Sequence, residues 1–365
     1  MMNRNTQKLH ELGQRIWLDN ITRELLVSGT LARYIADLSV TGLTSNPTLF
    51  EHAISSGNLY DNAIKTLASL GLSNEHIFFE LALQDLTQAA DLFRPVYEAS
   101  DGLDGWASLE VSPLIAHDSA NTIKAAALLH ARAARPNLFI KIPGTPAGVP
   151  SIEQSIFNGV PINVTLLFSC EHYVASAEAY LRGIERRIDA GLNPSVDSVA
   201  SLFVSRWDVA VRDEISPQLR NRLGIAMAMR TYKAYRDLLA SARWKKLAAQ
   251  GARPQRLLWA STGSKDPTAS ATLYVEALAA PDTINTIPEK TLLAFADLGT
   301  VQATLPGDGG YAEAVLDEFR REGVDVEALA ARLQGDGVDA FTQSWHALMA
   351  RISEKTLPPA TARPA

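Results

Sequence analysis

Eight short runs rich in β-branched and apolar residues alternate with longer segments of helical period. That alternation, unbroken by any Ser/Gly/Pro-rich linker, predicts an α/β fold: a single closed (β/α)8 barrel, the TIM-barrel architecture, with additional C-terminal helices. Residues 1–357 read as one domain whose C-terminal helices lie within 311–357, and residues 358–365 read as a disordered tail.

The strand candidates are 16-IWLD-19, 40-VTGLTSN-46, 106-WASLEVS-112, 137-NLFIKIP-143, 160-VPINVTLLF-168, 198-SVASLFVS-205, 256-RLLWASTG-263 and 282-DTINTI-287. Residues 73–100 predict a long helix between the second and third strands. In 171–191, Val174, Ala177, Leu181, Ile184 and Ile188 fall on one helical face, and Gly191 supplies a stop. The Ala-rich 118–134 and the long 216–251 carry the same period. Residues 311–323 and 325–357 predict two helices packed outside the barrel.

Bulk composition excludes several classes of function. The net charge of -6 is spread along the chain without a basic block, so nucleic acid is not an expected partner. The first twenty residues hold no apolar leader and no run reaches the ~20 apolar residues of a membrane helix, which predicts a soluble, cytoplasmic protein without membrane association. Cys170 is the only cysteine, which leaves no intrachain disulfide and reads as a small apolar filler rather than a catalytic thiol. The seven histidines show no paired ligand spacing, so no metal site is expected. No GxGxxG or Walker loop follows a strand.

The chemistry centres on a lysine inside a strand. Alternate residues face opposite sides, so Leu138, Ile140 and Ile142 share one face and Phe139, Lys141 and Pro143 the other. If the first face meets the outer helices, Lys141 points into the barrel. A lysine there can also snorkel to solvent or simply pair with a carboxylate. Its company favours a site: parity turns Trp17 and Asp19, Thr44 and Asn46, Ser108, Glu110 and Ser112, and Asn163 and Thr165 the same way on neighbouring strands. Buried polar groups cost free energy unless paired, and barrel enzymes keep their chemistry at the C-terminal mouth.

An ordinary lysine is a neutral amine in only about one molecule in a thousand at neutral pH. Burial beside Phe139 and apolar walls disfavours the ammonium, and a neutral amine adds to a ketone. Forming the carbinolamine and losing water need a proton shuttle, for which Glu110 on the adjacent strand is best placed. Cleaving the carbon-carbon bond beside the iminium needs a base, and Asp19 is the second inward acid. Each carboxylate could instead serve only as a charge partner for Lys141. Ser201 and Arg206 at the end of the sixth strand, and Ser264 and Lys265 after the seventh, suit a phosphate clamp. Arg206 suits an ion pair with Asp208 or Asp213 equally well.

The segments 41-TGLTSNPTLF-50 and 139-FIKIPGTPAGVPSIEQSIFNGVPINVTLLFS-169 closely resemble the two signature regions of transaldolases, the second of which holds the Schiff-base lysine. The likeness continues in order through 17-WLDN-20, 108-SLEVSP-113, 201-SLFVSRWD-208 and 259-WASTGSKDP-267, covering roughly residues 10–300. It implies transfer of a dihydroxyacetone unit from sedoheptulose 7-phosphate to glyceraldehyde 3-phosphate in the pentose phosphate pathway, with sugar phosphates as substrates, no metal or organic cofactor, and a monomer or homodimer. Carried over by residue, it makes Lys141 the nucleophile, Glu110 the shuttle through water and Asp19 the base. Asn46, Asn163, Thr165 and Ser201 would hold the sugar and water, and Arg206 the phosphate. A lysine on the fourth strand also fits, since the related fructose bisphosphate aldolases carry theirs on the sixth. Two departures stand out. Glu110-Val111-Ser112 replaces a common Glu-Val-Asp, and Ser264 or Lys265 stands where a second phosphate-binding arginine is usual. The alternatives are a fructose 6-phosphate aldolase-like enzyme, against which Glu110 and the chain length argue, and an inactive sugar-phosphate-binding barrel.

Overall fold

The computed structural model describes residues 2–356, so the expected tail at 358–365 lies outside the described residues. Eight parallel strands close into one ring in sequence order: β1 Arg15–Asp19, β2 Val40–Thr44, β3 Trp106–Glu110, β4 Leu138–Pro143, β5 Ile162–Leu167, β6 Ser198–Phe203, β7 Gln255–Ala260 and β8 Thr283–Ile287. The ring closes where Arg15 to Leu18 pair with Ile284 to Ile287. All eight strands stand where the sequence period puts them, but several end earlier. The reason is capping. Asn46, expected at the end of β2, accepts from the Leu49 N–H and starts the helix Pro47–Ser55. Ser112 likewise caps a single 3-10 turn over Pro113–Ile115, so it leaves the ladder after Glu110.

The helices differ from expectation in three places. Residues 216–251 break into a 3-10 turn at Pro217–Leu219 and helices Leu223–Ala240 and Ala242–Ala248, because extended Ser241 ends one helix and caps the next by accepting from the Trp244 N–H. The buried face of Cys170–Asp189 is rotated from the one expected. Tyr173 and Tyr180 join Ala177, Leu181 and Ile184 inside, whereas Val174 is 41% exposed. The long helix Asn74–Ala99 forms as expected, capped by Ser73.

The third difference matters most. Ala312–Arg321 packs on Leu223–Ala240, outside the strands, but Val326–Thr356 lies across the C-terminal mouth. Its Gln334 amide donates to the carbonyls of Gly144 and Leu166, just beyond β4 and at the end of β5, at 3.0 and 2.9 Å. Leu166 sits at φ 58°, where the β5–β6 register shifts. The second half of Val326–Thr356 packs on the outer helices as expected, with Trp345 against Phe78 and Phe79 of Asn74–Ala99, whereas the part around Gln334 reaches the mouth, where the sequence reading does not place it. Among the described residues, no helix is long and apolar enough to cross a membrane.

Below the mouth the barrel is plugged by aromatic rings. Trp106 stacks on Phe139 with centroids 4.0 Å apart, and Trp17 lies 6.1 Å from Phe139 while its indole N–H donates to Asp104. Burial of each ring contributes on the order of 3 kcal/mol. Space for two indoles is made by Gly42 on β2. A Cβ there would sit 2.6 Å from Trp17 Nε1 and 2.7 Å from the Trp106 carbonyl oxygen. Gly42→Ala is therefore expected to lower unfolding stability by about 1–3 kcal/mol in urea denaturation, and an unchanged midpoint would contradict the tight layer.

Candidate active site

Above the aromatic plug the inward residues become polar. Register sets Glu110 beside Lys141 on β3–β4 and Lys141 beside Asn163 on β4–β5. Both Lys141 and Glu110 are only 5% exposed. The Lys141 amine donates to Glu110 Oε2 at 3.0 Å and to the Ser45 carbonyl at 3.1 Å. The amine is thus neither snorkelled to solvent nor on the outer wall.

Asp19 sits across the ring. Thr44 donates to Asp19 Oδ1 at 2.9 Å, and its oxygen lies 2.7 Å from that of Thr286. Since the Thr44 hydrogen goes to the carboxylate, Thr286 is the donor to Thr44. A second chain of bonds runs behind Lys141, where Ser201 Oγ donates to Asn163 Oδ1 at 2.7 Å and Asn163 Nδ2 donates to Ser108 Oγ at 3.2 Å. Thr165 Oγ1 is buried without a hydrogen-bond partner among the described residues.

These groups meet in one cavity of about 110 Å³, lined by Asp19, Thr44, Asn46, Lys141, Thr165, Ser201, Phe203, Arg206, Lys265, Thr286 and Phe341 among others. Of the residues singled out from the sequence, Glu110 and Asn163 lie one layer behind this lining and reach it through Lys141 and Ser201. Ser264 is turned away, its hydroxyl bonded to Asp266 within the loop, so Lys265 alone of that pair faces the cavity. Ser112 is likewise outside it, engaged in its cap. Thr286 follows the strand parity and could have been found from it. Phe341 could not.

Electrostatics separates the acids from the cations. Burial pushes Glu110 above the usual carboxylate range, opposed chiefly by the neighbouring Lys141. Asp19 is also raised by burial, against Lys141, the Thr44 hydrogen bond, Lys265 and Arg206. Arg206 is lowered by burial while Glu110, Asp19 and Asp336 support its charge. Its guanidinium lies 5.0 Å from the Phe203 ring centroid and, among the described residues, pairs with neither Asp208 nor Asp213. Of the two readings of Arg206, the surface ion pair is therefore not the one formed. Cys170 is not in this cavity, and burial pushes its thiol up to about 11, leaving little thiolate.

An amine bonded to a raised acid, a second raised acid opposite, and two cations at the rim can together bind an anionic carbonyl compound and move protons around its carbonyl. Comparison with known proteins agrees. The family model described as Transaldolase/Fructose-6-phosphate aldolase matches residues 16–352. The chain is 44% identical over 358 residues to a transaldolase of Thermobifida fusca, covering 96% of this chain and 97% of that one. It is 42% identical to a transaldolase of Saccharopolyspora erythraea, covering 97% and 98%, and 43% identical to one of Thiobacillus denitrificans, covering 95% and 99%.

Asp208, two residues beyond Arg206, has a structural task. It accepts from the N–H groups of Leu223 and Gly224 at 2.9 and 3.2 Å and from the Tyr274 hydroxyl at 2.8 Å, so it holds the start of Leu223–Ala240. Burial pushes its carboxyl up to about 6 despite these bonds. With the folded value above the unfolded one near 4, the native state holds the proton longer, so this group's contribution to stability falls as pH rises from about 4 to about 6 and then levels. Asp208→Asn is neutral throughout and should lose that decline. Denaturation midpoints of both proteins between pH 4 and 8 test this, and parallel curves overturn it.

Proposed function

Because the chain belongs to the transaldolase/fructose-6-phosphate aldolase family, we propose that it is a transaldolase that carries a three-carbon dihydroxyacetone unit on Lys141, from sedoheptulose 7-phosphate to glyceraldehyde 3-phosphate. The observation that carries the reading is the 3.0 Å bond between a buried Lys141 amine and a buried Glu110, beside a cavity rimmed by Arg206 and Lys265.

The steps follow from that pair. A proton passes from the ammonium to Glu110, a transfer eased by the burial that raises the acid. The freed amine adds to the ketone carbon of the donor, and a proton moves from the attacking nitrogen to the alkoxide oxygen to give the carbinolamine. Glu110 returns its proton, directly or through a water, to the carbinolamine hydroxyl, which leaves as water and yields the iminium. Asp19 takes the proton of the hydroxyl on the departing carbon. The carbon-carbon bond breaks, the aldehyde erythrose 4-phosphate leaves, and its electron pair stays as an enamine on Lys141. That enamine attacks the acceptor aldehyde, and the steps run in reverse to release fructose 6-phosphate. Neither acid can do both tasks at once, and their different partners, Lys141 and Thr44, let each hold its own protonation state.

Binding is assigned on the same basis. Arg206 and Lys265 take the phosphate, with Ser264 no longer a candidate given its bond to Asp266. Asn46, Thr165 and Ser201 contact the sugar, and Asn163 orients Ser201. The soluble, cytoplasmic setting expected from the composition suits such substrates.

Borohydride reduction with fructose 6-phosphate should leave a covalent adduct that peptide mapping places on Lys141, and wild-type protein without that adduct would falsify the reading. Lys141→Ala should reduce turnover to trace levels while the near-UV circular dichroism is kept, because the unpaired Glu110 can take up a proton rather than remain a buried charge. Arg206→Ala should raise KM for phosphorylated substrates at least about tenfold with a smaller change in kcat, and an unchanged KM removes Arg206 from the site.

A further inference from the structure

The helix Val326–Thr356 places one face on the mouth. Gln334, Gly337 and Phe341 are spaced by three and four residues and so share that face. Gln334 spends both amide hydrogens on the Gly144 and Leu166 carbonyls, tying the helix to the chain segments that continue from Lys141 and Thr165. At Gly337 the helix comes so close that a Cβ would lie 2.9 Å from Leu166 Cδ2 and 3.4 Å from an Arg206 guanidinium nitrogen. One turn further, Phe341 is only 4% exposed. Its ring centroid stands 5.8 Å from the Lys141 amine and 5.8 Å from the Arg206 guanidinium carbon. The amine's hydrogen bonds go to Glu110 and Ser45, and Phe341 with Lys141 and Arg206 lines the same cavity.

From this placement we infer that Phe341 is a specificity-determining residue: it roofs the Lys141-bound intermediate and keeps water from releasing the three-carbon unit before the acceptor arrives. The inference rests on the Schiff-base reading of Lys141. The enamine left after cleavage has two fates. Its nucleophilic carbon attacks an acceptor aldehyde, which transfers the unit. Alternatively that carbon takes a proton, giving an iminium, to which one water adds; the carbinolamine then expels the Lys141 amine and free dihydroxyacetone departs. Both routes end with water adding to an iminium, but only the second needs a proton at the enamine carbon, and an apolar ring over the adduct keeps solvent from delivering it there. Gln334 acts on this only by seating the helix and is a positioning residue.

The measurement is the partition between free dihydroxyacetone and transferred unit, per fructose 6-phosphate cleaved, with glyceraldehyde 3-phosphate present. A ratio is independent of the fraction of folded enzyme. Phe341→Ala should raise the free fraction at least about tenfold. Phe341→Leu keeps most of the volume, is expected to fold in any case, and should raise it about threefold. Gln334→Leu, which loses both clamping bonds, should move the partition the same way, where a purely structural loss would lower both products together. A wild-type partition in the two Phe341 variants overturns the inference while leaving the Schiff-base reading intact, provided borohydride still labels Lys141 in the wild type. Absence of that label overturns both.

Discussion

A lysine and a glutamate that are both almost free of solvent must stay bonded to each other, and the barrel is arranged around that constraint. Removing two such charges from water costs several kcal/mol apiece, and their attraction offsets the cost only when geometry is good and the remaining hydrogens find acceptors. Here the β3–β4 register sets Glu110 directly beside Lys141, and the Ser45 carbonyl beyond β2 takes a second amine hydrogen. Well-packed apolar residues would serve stability as well or better, so the pair is understood by what it does to substrate rather than by what it does for the fold.

Keeping that pair reactive demands a closed floor and a sparing roof. The floor is Trp17, Trp106 and Phe139, packed so tightly that only glycine fits at position 42. The chain pays for this layer with a backbone position that tolerates no side chain. Above it, polar side chains are bonded to one another rather than to the outer helices: Thr286 to Thr44 to Asp19 on one side, Ser201 to Asn163 to Ser108 on the other. Such chains fix rotamers before any substrate arrives, and preorganised donors stabilise a transition state without reorganising. The rim carries the opposite sign, with Arg206 and Lys265 facing two acids whose own ionisation burial suppresses.

The roof comes from the far end of the chain. A buried glutamine, a glycine closely approached by the Leu166 and Arg206 side chains and a phenylalanine form one helical stripe that reaches the site more than 180 residues after the lysine. Leu166, held at φ 58° where β5 ends, turns its carbonyl to Gln334, so the irregular strand end and the helix are parts of one contact. Left-handed backbone at a leucine costs on the order of 1–3 kcal/mol and persists only where surrounding structure over-determines it.

What the sequence settled alone was local and periodic. The alternation of period two and period 3.6 named eight strands, and parity within each strand turned Asp19, Thr44, Glu110, Lys141, Asn163 and Thr165 inward, because a closed ring has one inside for all its strands. Ser264 against Lys265 was beyond that reach, since a loop side chain turns by its own turn chemistry, here the bonds between Ser264 and Asp266. The break at Ser241 was hidden by a helical period that continues through it. Above all, the period of residues 325–357 announced a helix but not its seat. Whether an amphipathic stripe lies on the outer ring or over the mouth depends on contacts between residues far apart in the chain, such as Gln334 with Gly144, and no spacing within the helix records them.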